Sequence, residues 1–199
     1  MVATKSVPVL ANNQIVWFRN LGNGLFAPTY TVIPCTPPCV DPVAFDLEGD
    51  GYPDIGVTSG STIVVLSYYP PTWIRSEIAP SFSGALVDYV FVDMNLDGFK
   101  ECVCLVLSGM DVPYSLFVRK NVGIFWEQGK IYDITAISGS IASIGTFDMD
   151  SDGLMDIFVA NIIGQVQIFR NLGAFRLGPL NAVLATSSPF LVPIDVDSK

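Results

Sequence analysis

The chain has no histidine among its 199 residues. Every histidine-based triad, general base and metal site is thereby excluded, so catalysis would have to run on carboxylates, tyrosine, cysteine or lysine. Basic residues are scarce too: ten Lys and Arg stand against nineteen Asp and Glu, a formal net charge of −9. That balance argues against nucleic acid or an anionic membrane surface as a partner. Long apolar runs are missing. Stretches such as Cys102 to Leu107 fall far short of a membrane span, which argues against membrane insertion, and the opening Met1-Val-Ala-Thr-Lys-Ser6 lacks the apolar region of a signal peptide. No amphipathic run of convincing length has a helical period. What the chain does have is apolar mass, 50% of its residues, with 17 Gly and 14 Pro. That is enough for one domain with a large core or one arc of a repeat array.

The few charges are concentrated. Thirteen of the nineteen acidic residues fall in four windows: Asp46, Glu48, Asp50, Asp54; Asp93, Asp97, Glu101; Asp148, Asp150, Asp152, Asp156; and Asp195, Asp197. Crowded carboxylates raise the energy of a metal-free fold, and a bound cation reverses that sign. Three divalent ions would bring the formal charge from −9 to −3. The windows also repeat: Asp46 to Asp93 is 47 residues, Asp93 to Asp148 is 55, and Asp148 to Asp195 is 47. Strand-like segments lie between them, including Asp54-Ile-Gly-Val-Thr58, Cys102-Val-Cys-Leu-Val-Leu107 and Asp156-Ile-Phe-Val-Ala160. A period near 50 built from such segments predicts an all-β fold of propeller blades or a related array. A second element recurs in phase: Phe18-Arg-Asn-Leu-Gly-Asn-Gly-Leu-Phe26, Phe117-Val-Arg-Lys-Asn-Val-Gly-Ile-Phe125 and Phe169-Arg-Asn-Leu-Gly-Ala-Phe175, each reading as a hairpin with an Asn-x-Gly turn. One unit is therefore strand A, acidic loop, strand B, connection, strand C, turn, strand D.

The three complete loops are Asp46-Leu-Glu-Gly-Asp-Gly-Tyr-Pro-Asp54, Asp93-Met-Asn-Leu-Asp-Gly-Phe-Lys-Glu101 and Asp148-Met-Asp-Ser-Asp-Gly-Leu-Met-Asp156. Oxygen side chains stand at positions 1, 3, 5 and 9, and Gly at 6 permits a left-handed backbone that turns the position 7 carbonyl inward. The expected metal ligands are Asp46, Glu48, Asp50, Tyr52 and Asp54; Asp93, Asn95, Asp97, Phe99 and Glu101; Asp148, Asp150, Asp152, Leu154 and Asp156, with Tyr52, Phe99 and Leu154 giving carbonyls. Six to eight hard oxygens suit Ca²⁺, in up to three complete sites, better than Mg²⁺, which keeps its water and needs a stiff octahedron. An EF-hand is excluded. Its bidentate Glu at position 12 is replaced by Val57, Cys104 and Val159, and strands flank the loops where helices belong.

These loops and hairpins resemble the FG-GAP and VCBS repeats, the calcium-loop β-propeller repeats of integrin α-subunits and many secreted proteins. The resemblance implies a β-propeller, or a propeller fragment, of four-stranded antiparallel blades with calcium loops in the A–B hairpins. It further implies extracellular or cell-surface display and adhesion or recognition of a protein or glycan; it does not imply catalysis, and a non-catalytic role is the expectation. The expected divisions are 1–40, strands B–D of an incomplete blade; blades at 41–85, 86–139 and 140–188; and 189–199, a strand A and a truncated calcium loop with Asp195 and Asp197. A fragment of a longer propeller is the expectation; a closed four-bladed ring is the alternative. A ligand surface is expected on the end opposite the calcium loops, where Pro34 to Asp41, Pro80 to Ala85 and Ser108 to Pro113 vary in length. Cys102 and Cys104 read as buried small apolar groups, and Cys35-Thr-Pro-Pro-Cys39 as either a small disulfide or two free thiols. The competing function is a secreted lyase or hydrolase using the propeller as scaffold, with an acid and base drawn from Glu77, Asp88, Asp111, Glu127, Asp133 and tyrosines such as Tyr89 and Tyr114.

Overall fold

A computed structural model describes residues 2–5, 14–35, 39–78, 84–108, 114–123, 125–135 and 139–185. The expected fourth loop, at Asp195 and Asp197, and its strand lie outside the described residues, as do 36–38, 80–83 and 109–113 of the variable connections. The described residues contain strands and no helix. They form four antiparallel sheets. The first holds β1 (Val2–Lys5), β2 (Gln14–Gly22) and β3 (Leu25–Ile33) in that order. The second runs β4 (Val40–Phe45), β5 (Asp54–Ser59), β6 (Thr62–Tyr69), β7 (Thr72–Ile78). The third runs β8 (Ala85–Val92), β9 (Glu101–Leu107), β10 (Tyr114–Asn121), β11 (Trp126–Asp133). The fourth runs β12 (Ile141–Phe147), β13 (Asp156–Asn161), β14 (Gln165–Asn171), β15 (Leu177–Ala185). Neighbours in each sheet are neighbours in sequence, so successive strands within a sheet pair as hairpins and each acidic loop joins the first strand of a four-stranded sheet to its second.

The chain divides into two compact units, Met1–Ser81 and Phe82–Lys199. In the first, Ile15 and Ile33 of the three-stranded sheet share a core with Ile55, Val57, Val64 and Leu66 of its neighbour. A Cys35–Cys39 disulfide leads from β3 towards β4, and Cys39 is part of that core. In the second unit the core is formed by Val92, Val103, Leu105, Leu116 and Val118 from one sheet with Ile141, Ile144, Ile157, Val159 and Phe169 from the other. Two sheets facing each other over interdigitated aliphatic side chains remove about 1.5–3 kcal/mol of apolar exposure per side chain from water.

The second strand of each four-stranded sheet explains its own composition. Residues 101–106 of β9 and all of β13 are buried on both faces, so neither sequence alternates apolar with polar. Val103 and Leu105 face the shared core, while Cys102 and Cys104, free thiols with sulfurs 3.6 Å apart, are buried on the opposite face. Burial and the adjacent Cys104 push the Cys102 thiol well above its usual range, keeping it protonated and inert.

Candidate metal centre

The three acidic loops share one hydrogen-bond scheme. The position 1 carboxylate takes the N–H of positions 5 and 6: Asp46 from Asp50 and Gly51 at 3.1 and 2.9 Å, Asp93 from Asp97 and Gly98 at 3.2 and 2.9 Å, Asp148 from Asp152 and Gly153 at 3.1 and 2.9 Å. The position 5 carboxylate takes the N–H of position 7, so Tyr52, Phe99 and Leu154 donate to Asp50, Asp97 and Asp152 at 2.8, 2.8 and 2.9 Å. The position 9 carboxylate takes the N–H of position 2: Leu47 to Asp54 at 2.7 Å, Met94 to Glu101 at 3.0 Å, Met149 to Asp156 at 2.9 Å. This coiling requires left-handed backbone at position 6, where Gly51, Gly98 and Gly153 have φ of 86°, 89° and 89°. It also requires it at position 4, where Gly49, Leu96 and Ser151 have φ of 72°, 61° and 59°. For Leu96 and Ser151 that conformation costs about 1–2 kcal/mol each, a local strain accepted by the loop.

Because the chain coils this way, carboxylates converge. Oxygens of Asp46, Glu48 and Asp54 lie within 4.8 Å of one another, as do oxygens of Asp148, Asp150 and Asp156. Ligands across one calcium ion, each at about 2.3–2.6 Å, stand no more than about 5 Å apart, so both triples fit around a single such ion. The triples use positions 1, 3 and 9. Position 5, expected to join them, is not among them: Asp50 and Asp152 each turn an oxygen towards the position 7 N–H. The middle loop forms no such triple among the described residues. Its position 3 is Asn95, whose amide donates to Asp97 at 2.7 Å and whose oxygen accepts the Asp97 N–H at 3.2 Å.

Position 9 is the buried anchor. Asp54, Glu101 and Asp156 are 1%, 0% and 3% exposed. Asp54 bonds the Tyr68 N–H at 3.0 Å and Asp156 the Asn171 N–H at 2.7 Å, so each clamps its loop to the third strand of its sheet. Loss of solvent pushes the Asp54 carboxyl up to about 6, against the pull of the Leu47 and Tyr68 N–H groups and with a further push from Glu48. Glu101 is pushed up to about 7, again by burial first; the Met94 and Asn121 N–H groups temper the rise, and Asp97 and Asp93 add to it. Its oxygen Oε1 is buried, with the Asn121 N–H alone to offset its charge. Glu101 is thus buried beside the carboxylates of Asp93 and Asp97, although their oxygens do not gather into a triple as they do in the other two loops.

Several residues around the loops carry no acidic signal and were invisible in the pattern. Arg170 on β14 forms ion pairs with Asp150 and, at 3.3 Å, with Asp152. The Tyr69 hydroxyl donates to Glu48 at 2.8 Å, and that bond to a carboxylate pushes the phenol up to about 12. Asn171, buried, donates from its side chain to the Met94 carbonyl at 2.9 Å and the Met155 carbonyl at 3.2 Å, while its side-chain oxygen accepts the Gly173 N–H at 3.0 Å. It therefore ties the third loop to the second across two sheets of the same unit. In sequence it is the Asn of an Asn-x-Gly turn, and the turn alone was sufficient reason for it.

No curated protein matches the chain. The family model described as FG-GAP-like repeat matches residues 93–159, from the first residue of the second acidic loop, through the third loop, into β13. The segment 93–159 of this chain is similar to FG-GAP-like repeats.

Proposed function

We propose that this chain is a non-catalytic, calcium-binding segment of a β-propeller, serving recognition or adhesion outside the cell. The observation that carries the reading is the repetition of one loop geometry three times, with all-oxygen triples gathered in two of the copies. A radial arrangement of blades is supported within each unit. The first strands β8 and β12, each at an edge of its sheet, lie against one another, and successive sheets share an aliphatic core. The Cys35–Cys39 disulfide supports an oxidising compartment. Among the described acids outside the loops, Asp88 accepts the Tyr89 and Ile144 N–H groups at 2.8 and 3.0 Å, Asp133 accepts the Ser115 hydroxyl at 3.1 Å, and Glu77 pairs with Arg75. Those structural duties favour a scaffold over an acid–base pair. The partner in this reading is a protein or glycan that docks on the end of the sheets opposite the calcium loops.

The test is thermal. Calcium at about 100 times its dissociation constant stabilises a one-site protein by about 2.7 kcal/mol, and Asp150→Ala removes the contribution of the third loop. Identical melting curves in chelator and in millimolar calcium overturn the proposal.

A further inference from the structure

Within the first unit the two sheets part beside the first acidic loop and leave a cavity of about 440 Å³. Trp17, Tyr52, Tyr68 and Trp73 line it, with Ile33 and Ile55 of the aliphatic core beneath. Tyr68 is the hub of the aromatic wall: its ring centroid is 4.7 Å from Trp73 and 6.1 Å from Tyr52, the latter edge-on at 79°. Trp17 and Tyr52 are 39% and 47% exposed, so the wall opens to solvent. Tyr68 and Trp73 are half-buried, and Trp73 packs against the aliphatic core, but Trp17 and Tyr52 stay exposed, so the space is not closed by interdigitation as a core is.

We propose that this cavity binds a small molecule carrying an alkylated or quaternary ammonium group. The lining aromatic faces present negative quadrupoles, and the charge beside them has the same sign. Asp50 accepts the Tyr52 N–H at 2.8 Å, Asp54 accepts the Tyr68 N–H at 3.0 Å, and Glu48 accepts the Tyr69 hydroxyl at 2.8 Å. No lining side chain is basic. An alkylammonium spreads one positive charge over a greasy, weakly hydrated surface, so it gains from the rings it touches and, through space, from the loop carboxylates outside the lining, at little desolvation cost. A sugar is less well matched, since the lining offers its hydroxyls only the Tyr52 and Tyr68 hydroxyls and the Trp17 and Trp73 indole N–H groups, with no Asn, Gln, Asp, Glu or Arg side chain. The volume is that of a small-molecule site. The inference does not rest on the metal reading, because the four carboxylates of the first loop outweigh a single divalent ion in charge.

The test uses the full chain carrying Trp126→Phe, which leaves Trp17 and Trp73 as the fluorescent reporters. Choline is titrated against its neutral isostere, in which a tert-butyl group replaces trimethylammonium, and against a methyl glucoside. Choline gives a saturable response at least about tenfold tighter than the isostere and weakens as salt rises. Trp73→Leu and the more exposed Trp17→Ala, checked for unchanged melting, each weaken choline by at least about fivefold. Equal binding of the isostere makes the cavity an apolar slot and overturns the proposal; so does binding of the glucoside alone, or no saturable choline response from folded protein.

Discussion

Replacing Glu101 with Gln separates a loop built around a cation from a loop that is only a turn. The carboxylate is fully buried, one oxygen holds the Met94 N–H at 3.0 Å, and the Asn121 N–H also favours the ionised form. Its pKa is pushed from 4.5 up to about 7. A carboxyl whose folded pKa lies above its unfolded value favours folding while protonated, so its contribution is complete below about pH 4.5 and is lost as pH rises through about 7. At 1.36 kcal/mol per pH unit, the ionised group costs the metal-free protein about 3 kcal/mol at pH 8. Gln carries no charge and removes that cost, less the penalty of placing amide hydrogens near the Asn121 N–H. In metal-stripped protein at pH 8, Glu101→Gln therefore melts several degrees above the parent, and at pH 5 the two melt nearly alike. Millimolar calcium inverts the order at pH 8, because only the parent gains the binding free energy of that loop. Calorimetric or circular-dichroism melts at both pH values, with and without calcium, read all four states. A variant that is less stable than the parent at pH 8 without metal, or a calcium response equal in both proteins, refutes the reasoning.

Asn171→Ala removes three side-chain hydrogen bonds, to Met94, Met155 and Gly173, from a buried site. At about 1 kcal/mol each the loss is about 3 kcal/mol, seen as a melting temperature lower by roughly 6–12 °C in chelator and calcium alike. Arg170→Gln acts in the other direction on binding: the guanidinium that pairs with Asp150 and Asp152 competes with a metal for the same oxygens. The variant binds calcium at the third loop a few-fold more tightly in a calorimetric titration, at some loss of metal-free stability.

The strands and the loops were legible because their signals are local. Alternation of carboxylates over nine residues with Gly at position 6 dictates a coil, and the structure places left-handed glycine at Gly51, Gly98 and Gly153. The buried second strands announced themselves as unbroken apolar runs, with Cys102 and Cys104 inside as expected. What the pattern concealed was division of labour within a loop. Counting oxygens treats positions 1, 3, 5 and 9 as equals, whereas the two triples use positions 1, 3 and 9, and position 9 is buried. Left-handed backbone at Leu96 and Ser151 was hidden as well, since neither residue type signals it. Long-range partners, Asn171 on Met94 and Arg170 on Asp150, depend on how strands are stacked, and one-dimensional spacing holds no record of that.

Anomalous scattering from crystals grown in millimolar calcium tests the central claim directly. The account predicts a peak inside each of the three loops, about 2.3–2.6 Å from the side-chain oxygens of Asp46, Glu48 and Asp54 in the first and of Asp148, Asp150 and Asp156 in the third. Loops that keep their hydrogen-bonded coil at full calcium with no peak at their centres contradict it.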